Sequence, residues 1–208
     1  MNKSDALFEG WLSCTKPVMP VIVIDDKEDA VPLAKALFEG GVKLLEVTLR
    51  TPAGLMAIEK MAQYSSDIVV GAGTVTQADQ VDQVKEAGGR FVVSPGFSNA
   101  IAERTQVLGM AYLPGVATST EIMMALEKEY SFLKFFPAVQ AGGIDMIKAF
   151  SGPFPHVTFC PTGGINKRDY ARYLALENVR CVGGSWLATK QLIQEKSWKE
   201  ITTQAIDI

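Results

Sequence analysis

Short apolar runs alternate with longer stretches of helical periodicity from one end of the chain to the other. Val18 to Ile24, Lys43 to Leu49, Ile68 to Gly71, Phe91 to Val93, Met110 to Leu113, Ser131 to Phe136, Val157 to Cys160 and Arg180 to Val182 each read as a strand. The spacing predicts helices over Ala30 to Glu39 behind an Asp25-Asp26 cap, from Thr51-Pro52 to about Tyr64, over Gln77 to Ala87, from Asn99, and from a Thr118-Ser119-Thr120-Glu121 capping box. Asp5 to Leu12 forms a helical lead-in, and Ser197-Trp198-Lys199-Glu200 caps a final helix.

The strands recur about every 19 to 26 residues and are apolar throughout rather than alternating, as parallel strands covered on both faces should be. The expected fold class is α/β, a (β/α)8 TIM barrel, with a short N-terminal lead-in helix and one domain over residues 1–208. An open doubly wound sheet is the alternative. Against it, Gly71-Ala72-Gly73-Thr74-Val75-Thr76 lacks the third glycine of a dinucleotide fingerprint, so no NAD is expected.

Composition narrows the partners. A net charge of −3 without a Lys/Arg cluster argues against nucleic acid or an anionic membrane and for a small molecule. Neither a signal-peptide pattern nor an apolar run near the ~18 residues of a membrane span is present, so a cytoplasmic protein is expected. Cys14, Cys160 and Cys181 lack CxxC spacing and read as reduced core or near-core thiols, and the single histidine, His156, reads as a loop residue and leaves little support for catalytic zinc.

One strand breaks its own pattern. Ser131-Phe132-Leu133-Lys134-Phe135-Phe136-Pro137 carries a lysine among phenylalanines. Enclosure by apolar neighbours favours the neutral, nucleophilic amine, whereas a head that snorkels from the strand end does nothing chemical. Period-2 geometry sends Phe135 toward the helices and puts Lys134 and Phe136 together on the interior face.

Barrel chemistry sits where strands end, and the strand ends here are rich in candidate groups. Glu46, Thr48 and Arg50 share one face of the second strand; Glu46 is placed either to shuttle protons or to pair with Arg50 and seal the mouth. After the seventh and eighth strands come Thr162-Gly163-Gly164 and Gly183-Gly184-Ser185. Paired glycines there allow backbone N–H groups to approach an anion, assisted by a following helix N-terminus, which predicts a phosphate site.

These motifs together resemble the 2-keto-3-deoxy-6-phosphogluconate (KDPG) and 4-hydroxy-2-oxoglutarate aldolase family of class I Schiff-base enzymes. The resemblance covers nearly the whole chain and rests on Gly41 to Arg50, Val70 to Thr74, Val93 to Gly96, Leu113 to Gly115, Leu133 to Ala138 and Pro161 to Gly164. It implies that Lys134 is the Schiff-base lysine, Glu46 the general acid/base, and Arg50 and Thr74 the holders of the pyruvyl carboxylate. It further implies that Gly163, Gly164, Gly184 and Ser185 cradle phosphate, that Phe136 and Pro95 wall the pocket, and that Thr162 bears on stereochemistry at the new hydroxyl carbon.

The implied reaction is cleavage of KDPG, within the Entner–Doudoroff pathway, to pyruvate and D-glyceraldehyde 3-phosphate. It also includes cleavage of 4-hydroxy-2-oxoglutarate to pyruvate and glyoxylate. It needs no metal or organic cofactor, and the resemblance implies a homotrimer. Met61, Met123, Met124 and Trp198 are available as apolar surface, although packing into the core is the expectation for each. The competing readings are an aldolase for the galactonate epimer, a sugar-phosphate isomerase or epimerase, and a non-catalytic phosphate-binding barrel.

Overall fold

A computed structural model describes residues 2–208, in which strands and helices alternate after a first helix, α1 (Lys3–Leu12). The strands are β1 (Val18–Ile22), β2 (Leu44–Thr48), β3 (Val69–Gly73), β4 (Phe91–Val93), β5 (Ala111–Leu113), β6 (Gly115–Val116), β7 (Phe132–Phe135), β8 (Thr158–Pro161) and β9 (Val182–Gly184). Around them lie α2 (Ala30–Glu39), α3 (Gly54–Tyr64), α4 (Asp79–Glu86), α5 (Asn99–Leu108), α6 (Ser119–Glu127), α7 (Gly143–Ser151), α8 (Tyr170–Leu174), α9 (Lys190–Gln194) and α10 (Trp198–Ile206). No helix among the described residues is long and apolar enough to cross a membrane.

Every strand pairing is parallel, but the ladder is not one unbroken eight-stranded closure. Six strands run β5-β4-β3-β2-β1-β9 and three run β6-β7-β8, while β8 and β9 meet at the isolated bridges Phe159–Val179 and Thr162–Gly183. The fold is thus α/β with a curled parallel sheet in two sections. The expected fifth strand, Met110 to Leu113, is β5, and past Pro114, which has no N–H to give, the chain resumes as β6. Where β7 begins, a helix side chain serves as its partner: Asp5 accepts from the Ser131 backbone N–H at 2.9 Å and hydroxyl at 2.7 Å.

Residue parity decides what each side of the sheet meets. Met19, Leu44, Phe91, Val93, Leu113, Phe132, Cys160 and Cys181 gather on the inner side around Phe8 of α1, whose ring meets Phe91 at 5.4 Å and Phe132 at 5.5 Å. Burying one such ring stabilises by about 2–3 kcal/mol, and Phe8 does so by plugging the end where the strands begin. The alternate residues face the helices. Phe135 packs edge-on to Phe150 and Phe159 at 6.0 and 6.2 Å, as its parity predicts.

The other buried anchors of α1 are polar. Ser4 exchanges hydrogen bonds with the Tyr112 backbone on β5, donating at 2.9 Å and accepting at 2.8 Å. Asp5 is 4% exposed, its Oδ1 has no hydrogen-bond partner among the described residues, and burial raises its pKa above the ordinary value of 3.8 despite the Ser131 bonds. Between those two pKa values the folded chain holds a proton that the unfolded chain has released, so stability falls as pH rises through that window. Asp5→Asn should flatten this slope in urea titrations run at successive pH values, with Ser131 still able to donate to the amide oxygen.

Several local expectations changed in the tertiary context. The Thr118 capping box is present, and Asp26 caps a single 3-10 turn ahead of α2. Thr51 is no cap: its hydroxyl donates to the Ile24 carbonyl, and α3 starts at Gly54 without a side-chain cap. Ser197 precedes α10 but makes no side-chain cap bond. Cys14 is exposed, unlike Cys160 and Cys181, and Met123 and Met124 are exposed while Met61 is buried. The two methionines follow Ile122, which alone of the three turns toward the sheet.

Candidate active site

β2 and β7 are not neighbours in the sheet, yet both send their central inward residue to one point. Glu46 pairs in register with Val21 and Gly71, and Lys134 with Gly115 and Cys160, so each is enclosed by strands on both flanks. Lys134 Nζ lies 3.2 Å from Glu46 Oε1, with the two side chains 5% and 1% exposed. Glu46 Oε2 is buried and has no hydrogen-bond partner among the described residues. A buried ion pair returns its desolvation cost only when geometry is good and remaining lone pairs are satisfied, so a half-satisfied carboxylate here is poor structural cement. It is, however, a carboxylate with one oxygen left to accept a proton.

Glu46 does not pair with Arg50, so the mouth-sealing reading of that strand fails. Arg50 turns instead to β3's end, donating through Nε to Thr74 Oγ1 at 3.0 Å. That leaves both terminal nitrogens of the guanidinium, the fork that suits a carboxylate. Thr74 sits at φ 58°, a left-handed conformation that costs a non-glycine residue about 1 kcal/mol. Thr48, between Glu46 and Arg50, is fully buried and donates to the Ile22 carbonyl at 3.0 Å, stitching β2 to β1.

Glu46 has room because β3 reads Gly71-Ala72-Gly73. A Cβ on Gly73 would run into the Glu46 carboxylate itself. Gly73→Ala should therefore lower turnover by displacing Glu46, and cost about 1–3 kcal/mol from overpacking; parallel kinetics and thermal melts would show both. Beneath the pair, the hydrogen bond with Cys160, then burial, push the Cys181 thiol well above its ordinary value, with the Glu46 charge adding to the effect. The floor of the site is accordingly neutral.

Lys134 also opens onto a cavity of about 130 Å³ lined by Arg50, Phe136, Thr162, Gly163, Gly164, Gly184 and Ser185. The Phe136 ring lies 5.2 Å from Nζ. Gly163 and Gly164 hold φ of 103° and 79°, turning their backbone around the mouth of β8 in a way a side chain would resist. The helix expected directly behind them begins only at Tyr170, whereas Ser185 leads straight into a 3-10 turn, Trp186–Ala188. Gly184 has a packing reason of its own, since a Cβ there would strike the Trp186 indole.

Three candidates stand apart from the cavity lining. Glu46 reaches it through Lys134, Thr74 through Arg50, and Pro95 is exposed, with its carbonyl against Gly115. Ser94 hydroxyl donates to the Gly96 carbonyl and lies 2.6 Å from the Tyr112 phenol, which burial pushes up to about 12 and keeps protonated. Sequence reasoning missed Val21, Val23 and Ile165, which also line the cavity. Gly183, read in the sequence with Gly184 as a glycine pair, lines it too and bridges to Thr162, whose side chain occupies the space its Cβ would need.

The chain is similar to known proteins over nearly its whole length. Residues 12–204 match the family described as "Aldolase: KDPG and KHG aldolase". The chain is 48% identical to the 2-dehydro-3-deoxy-phosphogluconate aldolase of Pseudoalteromonas atlantica over 189 residues, 91% of this chain and 88% of that one. It is 43% identical to the KHG/KDPG aldolase of Escherichia coli K12, covering 92% and 90% of the two chains. Among solved structures, KDPG aldolase from Legionella pneumophila, with pyruvate captured as a covalent carbinolamine, superposes with a TM-score of 0.92 at 47% identity, over 95% of this chain and 96% of that one. A native KDPGal structure shares the fold at a TM-score of 0.78 and 24% identity, over 93% and 97%. With inner-face Lys134 and Glu46 in contact and glycine turns at the mouth, the chain belongs to the KDPG/KHG aldolase family of carbon–carbon lyases.

Proposed function

We propose that this enzyme cleaves KDPG to pyruvate and D-glyceraldehyde 3-phosphate through a Schiff base on Lys134, and that 4-hydroxy-2-oxoglutarate is cleaved to pyruvate and glyoxylate by the same route. The observation that carries the proposal is the buried contact between Lys134 Nζ and Glu46 Oε1, beside an oxygen with no partner. The neutral amine attacks the C2 ketone to give a carbinolamine, and loss of water leaves a protonated imine. Glu46 takes the C4 hydroxyl proton, directly or through water. The C3–C4 bond then breaks, its electrons pass to the imine, and the aldehyde departs. The resulting enamine is protonated at C3, and hydrolysis returns pyruvate and Lys134.

The remaining residues bind and orient. Arg50, held by Thr74, fits the substrate carboxylate; Gly163, Gly164, Gly184 and Ser185 fit the phosphate; Phe136 covers the space above Nζ. Thr162, 4% exposed and wedged against Gly183, lines the same cavity as Lys134, which supports a part in discrimination between epimers. The chain is read as one domain over residues 1–208, its two sheet sections together making a (β/α)8 barrel joined through the bridges of β8 to β9. Borohydride reduction with pyruvate, followed by peptide mass spectrometry, should place the adduct on Lys134. An unmodified Lys134 would support an isomerase or a binding barrel instead.

A homotrimer is the assembly proposed. Met123, Val139 and Met146 leave apolar surface exposed, at 56%, 47% and 37%, on and just before helices that flank the lysine strand. Light scattering on the eluting protein should give three times the 22.5 kDa chain mass.

A further inference from the structure

A ligand-sized space also lies away from the chemistry. A cavity of about 500 Å³ opens at the opposite end, between α1 and the starts of β7 and β8, within the range of small-molecule sites. One wall is a single stripe of α1: Asp5, Glu9 and Leu12 lie at helical i, i+4, i+7 spacing, while Ser4, Phe8 and Trp11 turn to the strands or to Phe8 itself. Arg180, Phe132, His156 and Thr158 also line the cavity.

This wall is charged and unneutralised. Neither Glu9 nor Arg180 forms an ion pair among the described residues, and buried Asp5 keeps one carboxylate oxygen without a partner. Arg180 also lines an adjoining cavity of about 660 Å³ that brings in Lys148, along with Glu177. Glu9 and Asp5 therefore stand on the α1 side and Arg180 just before β9, with the apolar Phe132 in the same lining. A buried polar atom without a partner costs free energy, and a ligand amine would relieve it.

We infer that this cavity is a second ligand site, separate from the catalytic one, for a small amphoteric molecule of amino-acid type. Its ammonium group faces Glu9 and Asp5, its carboxylate faces Arg180, and its carbon skeleton lies on Phe132. No covalent step is involved. The site shares no residue with the Lys134 cavity, so occupancy and catalysis can be read separately.

The test is titration of the intact protein with each of the standard L-amino acids singly, followed by heteronuclear NMR and calorimetry. Saturable shifts at Glu9, Phe132 and Arg180 with at least one amino acid are expected. That binding should weaken at least tenfold in both Glu9→Gln and Arg180→Gln, and persist in Lys134→Ala. Both surface variants should keep normal aldol cleavage, which shows that they fold. The proposal is overturned if no amino acid binds saturably, if both surface variants bind as the parent does, or if Lys134→Ala abolishes binding.

Discussion

Lys134→Met should abolish aldol cleavage, with a loss of more than about 10⁴-fold, because a covalent nucleophile is removed and the methionine thioether cannot form the imine. The same change should lower stability. Lys134 Nζ is the hydrogen-bond donor at Glu46, so its loss leaves a carboxylate that is 1% exposed with nothing to neutralise it. Breaking a buried pair on one side costs about 3–5 kcal/mol, whereas replacing both partners with neutral groups costs far less. The double variant Lys134→Met with Glu46→Gln should therefore regain most of the lost stability in urea unfolding while staying inactive. If the single variant is inactive but as stable as the double, the pair is not what holds these two strands' charges in place.

Glu46→Gln separates the two halves of the chemistry. The amide keeps the size of the carboxylate and can still accept from Lys134, so the amine remains in the site. Removing the proton acceptor should lower turnover by about 10²–10⁴-fold, the usual share of general acid–base catalysis. Borohydride trapping with pyruvate should fall much less. Equal loss of trapping and turnover would remove Glu46 from proton transfer and leave it as a partner that merely orients Lys134.

The residues that carry this reading were legible for definite physical reasons. Strand parity needs only a period of two, so it placed Lys134 and Phe136 apart from Phe135 without any knowledge of the neighbours. Glu46 stood out as a carboxylate in a strand whose other residues are apolar or Thr48. Its partner was less legible, because pairing across the interior depends on which strands face one another. Arg50 shares a strand face with Glu46 but binds Thr74 on β3, and Thr74 takes a left-handed backbone that no propensity scale assigns to threonine.

The local signals that failed were overruled by distant partners. Thr51 and Pro52 carry every mark of a helix start, yet the Ile24 carbonyl takes the threonine hydroxyl. Asp5 reads as an ordinary first-turn acid of α1, and only the fold brings Ser131 to it. The break at Pro114 has a local cause, since proline cannot donate to a ladder; the bond of Asp5 to Ser131 has none.

The helix that plugs the strand starts has a consequence for synthesis. α1 is made before its partners: Ser4 docks on Tyr112 and Asp5 on Ser131, 108 and 126 residues later in the chain. β1 likewise waits for β9, pairing Val18 with Val182. While the chain leaves the ribosome, the aromatic face of α1, with Phe8 at its centre, lacks the Phe91 and Phe132 rings until β4 and β7 exist. An emerging chain with such a face uncovered is open to chaperones, and contacts this distant in sequence form slowly. A helix made well before its partners is thus among the last elements to find its place.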